Sequence, residues 1–367
     1  MQHVPLIEGA VAEASAPEFL ERLVQQAEGA RASDIHLQIL GQSASVCFRL
    51  DGVLTAATEV PRTLGERVIG RIKYLSRLKT YQESLPQDGR IEKEAVHSAS
   101  DVRVATYPTV TGEKVVLRLF NDPDVRSLNE LQLPEDVLSQ VESFLQQTTG
   151  LLLLTGPAGS GKTTTIYSCL RYLVNLGGRH IITVEDPAEQ IVPGIMQTEV
   201  SEARGLDFAK AARHLLRQDP QVLVIGEIRD DETANICVRA ALTGHLVIST
   251  LHAGSCKGVF ERLLVLCKDH SAVASSVVLV LNQRLLRRLC PACSGRGCHQ
   301  CLGTGYRGRL PVVESFRPDN GARRFIAAGK VDDLVVKPSL EDRARILVDS
   351  NLTNVAELQR VFGVSGG

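Results

Sequence analysis

The chain has 367 residues, 44% of them hydrophobic, and its 41 basic and 42 acidic side chains leave a formal net charge of −1. That length predicts two or three domains rather than a single core, and the charge balance argues against a protein that coats nucleic acid through bulk positive charge. No apolar run approaches the roughly 18 residues of a membrane span, and no basic-then-apolar leader opens the chain, so a cytosolic protein is expected.

Ser15-Ala16-Pro17-Glu18 has capping-box spacing, and Phe19, Leu20, Leu23, Val24 and Ala27 fall on one helical face, which predicts a helix over 16–29. Short alternating runs follow at Asp34–Leu40, Ser45–Leu50, Gly89–Lys93, Asp101–Tyr107 and Glu113–Phe120, with a helical pattern over Leu64–Leu78 between them. They describe a small α/β domain over 1–121, and Asn121-Asp122-Pro123-Asp124 opens a linker expected over 122–130.

From Leu131 the texture changes to strands alternating with helices. Leu151–Thr155, His180–Glu185, Val222–Gly226 and Leu246–Thr250 are apolar runs of the kind buried on both faces of a parallel sheet. Gly156-Pro157-Ala158-Gly159-Ser160-Gly161-Lys162-Thr163 follows the first of them and precedes a helical pattern over Thr164–Leu176. This is a complete GxxxxGK[ST] loop in the strand–loop–helix context that its chemistry requires. Its glycines let successive backbone N–H groups turn inward around phosphate oxygens, Lys162 reaches the β- and γ-phosphates, and Thr163 can ligate magnesium. Residues Gly156 to Thr164 are the expected nucleotide-binding set, and an ordinary glycine-rich turn is the alternative. The P-loop core is expected over 131–287, and a segment with cysteines and a helical tail over 288–367.

Hydrolysis needs a carboxylate beside the phosphates. Val222–Ile225 leads through Gly226 to Glu227, where a catalytic carboxylate should emerge at the carboxyl edge of the sheet, unless Glu227 only pairs with Arg229 at the surface. Glu185, Asp186 and Glu189 follow another strand and are placed within reach of Mg²⁺ or its waters, or else form a solvated acidic loop. His245 and His252 flank the Leu246–Ser249 strand, and His252, at its carboxyl end, is the better phosphate-sensing candidate.

Nine cysteines in a cytosolic chain are not a disulfide framework. Cys47, Cys169, Cys237, Cys256 and Cys267 are scattered and read as small core residues. Cys290, Cys293, Cys298 and Cys301 form two CxxC pairs that can wrap one tetrahedral, structural Zn²⁺.

Arg217-Gln218-Asp219-Pro220, Gly226-Glu227-Ile228-Arg229-Asp230, Ala240-Ala241-Leu242-Thr243-Gly244-His245 and Ser249-Thr250-Leu251-His252 together closely resemble the secretion ATPases. These are the motors of type II secretion, type IV pili and competence pseudopili. The resemblance extends upstream through Ala32-Ser33-Asp34-Ile35-His36, Pro86-Gln87-Asp88-Gly89-Arg90, Asp101-Val102-Arg103-Val104 and Gly112-Glu113-Lys114-Val115-Val116-Leu117-Arg118. It implies a PAS-like N-terminal domain joined to a RecA-like ATPase domain, assembled as a homo-hexamer that uses ATP and Mg²⁺.

By the same resemblance Glu227 is the Walker B glutamate, Glu185, Asp186 and Glu189 form the Asp box, and His245 with His252 the His box. Lys162 is the P-loop lysine, and Arg103 and Arg118 match arginines that contact nucleotide phosphate in the closed state. The implied partners are an inner-membrane platform protein, a membrane-docking partner and, indirectly, pilin-like subunits, at the cytoplasmic face of the inner membrane.

The departures are specific. Gln221 replaces an acidic residue, Ala253-Gly254-Ser255-Cys256 replaces Thr-Asn-Asp-Ala after the second His-box histidine, and Lys79–Ser84 departs from the usual acidic-basic run. Only about 30 residues precede Ala32, so docking without the extra N-terminal domain of larger relatives is expected. Three rivals remain. The cysteines oppose a pilus-retraction motor. A nucleic-acid translocase would want stacking aromatics, which are only 4% of the chain. Intact Lys162, Thr163 and Glu227 oppose a nucleotide-gated scaffold that does not turn over.

Overall fold

The computed structural model describes residues 15–119, 126–201 and 205–363. The expected linker start, Asn121–Asp124, and the last residue of the strand expected to end at Phe120 lie outside them. Two compact units divide the chain, Met1–Asp124 with Arg287–Arg309, and Val125–Leu286 with Leu310–Gly367. The cysteine segment was expected to belong with the C-terminal tail, but its contacts group it with the first unit.

In the first unit, α1 (Ala16–Gly29) starts at the Ser15 cap, with the Ser15–Glu18 capping box formed in both directions. Its buried face is Phe19, Leu20, Leu23, Val24 and Ala27, as its period predicts. The strands β1 (Asp34–Leu40), β2 (Ser43–Leu50) and β3 (Val53–Pro61), the helix α2 (Arg62–Leu75), and the strands β4 (Gln87–Ile91), β5 (Val102–Thr109) and β6 (Gly112–Leu119) complete it. The sheet is six-stranded in the order β3-β2-β1-β6-β5-β4, with antiparallel pairs throughout. Burial alternates along β2, β5 and β6, so one face meets α1 and α2 over a shared apolar core while the other carries polar side chains. Within this unit Lys73, 1% exposed, pairs with Glu113 at 2.5 Å and donates to the Gln82 carbonyl at 2.9 Å.

The second unit begins with α3 (Glu135–Leu145) and β7 (Gly150–Thr155), followed by α4 (Lys162–Leu176), β8 (Ile181–Glu185), β9 (Met196–Glu199), α5 (Phe208–Leu215) and β10 (Val222–Ile225). It continues with α6 (Asp231–Leu242), β11 (Leu246–Thr250), α7 (Cys256–Leu266) and α8 (His270–Ser276). β12 (Val277–Leu289) leads toward the cysteine segment and β13 (Tyr306–Phe316) returns from it. The chain then closes with α9 (Asn320–Ala327), α10 (Leu340–Asp349) and α11 (Val355–Phe362). The seven strands run β13-β12-β7-β11-β10-β8-β9. From β12 to β9 every neighbouring pair is parallel.

β7, β8, β10 and β11 are buried along their whole lengths because helices cover both faces of a parallel sheet. This is the doubly covered architecture expected of a RecA-like core. β3, β9, β12 and β13 were not anticipated. β3 is half-exposed and lacks a continuous apolar side, and β9 is a four-residue edge strand without one.

Candidate functional site

The parallel registers bring the ends of five strands to one edge. Thr155 closes β7 opposite Asn282 of β12, Leu153 lies opposite Ser249, and Ile225 lies between Ser249 and Val184. The loops that leave these strands are those in which the sequence places its chemistry, as the ligand-binding edge of an open α/β sheet requires.

Gly156 begins the P-loop with φ of 138°, and a Cβ there would lie 2.4 Å from the Gln283 carbonyl oxygen, so this position admits only glycine. Gly161, at φ of 93°, turns the chain into α4. Pro157, Ala158 and Gly159 are exposed, Thr163 is exposed and Thr164 half-buried. Lys162 Nζ donates to the Gly156 and Pro157 carbonyls at 2.8 and 3.0 Å. Burial pushes its ammonium below the usual lysine range, with Glu227 opposing that effect. The lysine is therefore folded onto its own loop.

Glu227 follows β10 and is held from both sides. The backbone is pinned where Gly226 N donates to Val184 O at 2.8 Å and Ile228 N to Thr250 O at 2.9 Å. His252 Nε2 lies 3.0 Å from Glu227 Oε1, and Arg229 Nε donates to Oε2 at 3.1 Å. Arg229 also reaches Asp186 at 3.3 Å and stacks over Phe208. The surface pairing of Glu227 with Arg229 is thus real, and it coexists with a position beside the P-loop lysine.

The acidic loop separates into different environments. Asp186 is exposed and paired with Arg229, and Glu189 gives its backbone N–H to the Tyr167 hydroxyl at 3.0 Å. Glu185 departs from the expectation of a loop carboxylate open to magnesium. It is the last residue of β8, 8% exposed, and accepts from Thr183 Oγ1 at 2.5 Å, Gln197 Nε2 at 3.0 Å and the Tyr167 hydroxyl. A carboxylate that accepts these three bonds ties β8, β9 and α4 together, with one lone pair of Oε2 left over. His245 stands at the opposite end of β11 from the P-loop, where Nδ1 meets the Ala240 carbonyl at 3.0 Å. His252 is at the site and His245 is not.

Sequence reasoning missed Asn282, Gln283 and Arg284. β12 pairs with β7 and delivers them to the same edge. Gln283 Nε2 donates to Thr165 Oγ1 at 3.0 Å, and Asn282 Nδ2 to Gly254 O at 3.0 Å and to the buried Glu314 at 3.1 Å. The signal was present, since Val277-Val278-Leu279-Val280-Leu281 is an apolar run of the same kind as Leu151–Leu154. The replaced stretch after His252 is also accounted for. Ala253 exchanges backbone bonds with Thr155 Oγ1, and Ser255 caps α7 in place of an aspartate.

In the first unit Arg103 and Arg118 lie directly across from one another on β5 and β6, and Arg90 lies across from Arg103. Both Arg103 and Arg118 are exposed, and Arg118 Nε pairs with the buried Asp34 at 3.2 Å. Arg90 pairs with Asp101, so carboxylates offset part of the charge that the cross-strand arginines bring together.

The sulfur atoms of Cys290, Cys293, Cys298 and Cys301 all lie within 4.8 Å of one another. The Cys290–Cys298, Cys293–Cys301 and Cys298–Cys301 separations are 3.9, 3.7 and 3.7 Å. A tetrahedral zinc with bonds of about 2.3 Å sets sulfurs about 3.8 Å apart, so the cluster fits that ion and excludes disulfides. Gly305, at φ of 78°, lets the backbone pass where a Cβ would lie 2.5 Å from the Gly295 carbonyl. Burial raises the Cys301 thiol, but the Cys298 and Gly305 N–H donors outweigh it and bring the thiol down to about 7. Of the scattered cysteines, Cys169, Cys237, Cys256 and Cys267 are buried as expected, and Cys47 is half-buried.

The family model for type II/IV secretion system proteins matches residues 10–360. The chain belongs to that family. It is 38% identical to type II secretion system protein E of Pseudomonas aeruginosa, a match covering 94% of this chain and 74% of that protein. It is 36% identical to type II secretion system ATPase E of Vibrio cholerae, covering 90% and 72% respectively. Among solved structures, Legionella pneumophila ATPase DotB superposes with a TM-score of 0.72 at 19% identity, covering 98% of this chain and 99% of that one. The ADP-bound pilus retraction motor PilT gives 0.63 at 24% identity, covering 93% and 96%. At these identities the two structures bear on the fold alone. With a complete P-loop at its sheet edge, this secretion-system protein is an ATPase. Among the described residues no helix is long and apolar enough to cross a membrane.

Proposed function

We propose that the chain is the ATP-hydrolysing motor of a type II secretion, type IV pilus or competence-type machine. It works as a homo-hexamer at the cytoplasmic face of the inner membrane, driving a membrane platform protein and, through it, the assembly of pilin-like subunits. A further membrane protein docks it there. The observation that carries this reading is the placement of Lys162, Glu227 and His252 on one sheet edge in a chain of the secretion family.

The P-loop amides and the α4 N-terminus hold the phosphates of ATP, and Lys162 moves from the Gly156 and Pro157 carbonyls to the β/γ oxygens. Magnesium fits the exposed Thr163 hydroxyl and would neutralise phosphate charge there. Glu227, held in place by His252 and Arg229, orients water for in-line attack on the γ-phosphorus, with the bond to the leaving β-phosphate oxygen breaking. Asp186 would accept hydrogen bonds from waters of that ion when it is bound, and Glu185 positions the loop that carries Asp186. Arg103 and Arg118 donate to nucleotide phosphate. The four cysteines would hold a structural zinc that staples the segment around them.

The test is steady-state turnover with affinity capture. Glu227→Gln should bind ATP yet lose hydrolysis, and when captured from cross-linked cells it should bring down a polytopic inner-membrane protein with pilin-like subunits. Wild-type turnover by this variant, or recovery of nucleic acid without a membrane protein, overturns the reading.

A further inference from the structure

β12 places a second cation against the P-loop that the reading above does not use. Arg284 lies two residues past Asn282, the partner of Thr155 in the β7 register. Its Nη1 would be 3.2 Å from a Cβ on Gly156, on the side where Ser160 Oγ would be 2.7 Å away. The guanidinium is therefore packed against the first residue of the loop, and the bareness of Gly156 makes room for it.

The partners of Arg284 are all neutral. Nη1 donates to Asn282 Oδ1 at 2.9 Å and to the Gln283 carbonyl at 3.0 Å, and Nη2 reaches the Gly254 carbonyl at 3.5 Å. Among the described residues no carboxylate forms an ion pair with it. The carboxylate on the neighbouring strand, Glu314, is 7% exposed, accepts from Asn282 Nδ2 and the Cys256 backbone N–H, and reaches Arg284 only through its field. Half-buried and hydrogen-bonded only to neutral oxygens, the guanidinium is desolvated without a directly bonded anion, a cost that the field of Glu314 offsets only in part. The cost is met if the anion arrives with the ligand. A second observation points the same way, because Ser160, 3% exposed, has an Oγ without any hydrogen-bond partner.

The position of Arg284 selects one end of the nucleotide. Gly254, whose carbonyl it approaches, lies two residues beyond His252, which touches Glu227. Glu227 in turn acts on Lys162, the residue that reaches the β/γ oxygens of a P-loop ligand. Arg284 is thus tied to the loop that follows His252, the histidine that touches the catalytic carboxylate.

We propose that Arg284 is the residue by which this chain tells ATP from ADP, its guanidinium exchanging the Asn282 and Gln283 oxygens for oxygens of the γ-phosphate. This rests on the reading of Gly156–Thr163 as a nucleotide site. The exchange frees the Asn282 side-chain oxygen while its Nδ2 stays on Gly254 and Glu314.

The experiment is equilibrium binding of a non-hydrolysable ATP analogue and of ADP, each with magnesium, to the full chain and to Arg284→Gln, Arg284→Lys and Lys162→Ala. Arg284→Gln should weaken the ATP analogue by about tenfold to a hundredfold, the worth of a charge-assisted hydrogen bond. ADP should change by less than about threefold, which also certifies the fold of the variant. Arg284→Lys should recover part of the loss. Equal weakening of both nucleotides, or no change in either, overturns the proposal while leaving the P-loop reading intact. Wild-type protein that binds neither nucleotide, or Lys162→Ala that binds both as wild type does, overturns the P-loop reading and this proposal with it.

Discussion

In the second unit the charged residues that matter sit where parallel strands end, while in the first unit they sit across the exposed face of antiparallel strands. β7, β8, β10 and β11 are buried on both faces and leave polar side chains no place except the loops beyond their ends. There Lys162, Glu227, Asp186 and His252 converge with Arg284. The first unit alternates burial along β5 and β6, and that alternation turns Arg103 and Arg118 outward as cross-strand neighbours. A parallel sheet concentrates chemistry at an edge, and an antiparallel one spreads it over a face.

The largest expected effect breaks the edge. Glu227→Gln should cut turnover by on the order of 10²–10⁴, as loss of a general base does, with ATP affinity preserved. Loss of affinity in parallel with rate would show that Glu227 holds the loop together instead of acting on water. The counterpart in the first unit is the buried pair. Lys73→Met leaves Glu113 uncompensated and should cost about 3–5 kcal/mol in denaturant unfolding of that unit, with nucleotide affinity unchanged. An affinity change would mean that the two regions are energetically one.

Glu185→Gln should be felt as lost stability, about 1–3 kcal/mol from disturbed hydrogen bonding with Tyr167 and Thr183, more than as lost magnesium affinity. A raised magnesium requirement at unchanged stability would restore Glu185 to the metal site. Cys301→Ser, or a strong chelator, should release zinc measurable by elemental analysis and lower the melting temperature of the first unit, sparing nucleotide binding. The smallest effect belongs to the helix cap. Ser15→Ala should cost about 1 kcal/mol, measurable as a small shift in the same denaturation curve.

Much of this was legible because it depends on local pattern. The capping box and apolar face of α1, the strand β11 at Leu246–Thr250, the P-loop between its strand and helix, and the paired CxxC motifs are each set by neighbours in the chain. The strands missed show the limit. β3 is half-exposed and β9 is a short edge strand, so neither presents a long apolar run, and β12 blends into the approach to the cysteines.

The amino-acid sequence by itself determined the secretion-ATPase family, the P-loop motif between its strand and helix, the place of Glu227 after its strand and the paired spacing of the cysteines, because fixed spacings along one chain carry each of them. Only the tertiary structure decided which of the acidic residues stay available. It buried Glu185 among hydroxyl and amide donors, left Asp186 exposed, and grouped the cysteine segment with the first unit. It also brought Arg284, more than 120 positions from Gly156, against the P-loop. Strand order and register place residues that are distant in sequence side by side, and neither is written in the spacing of the residues themselves.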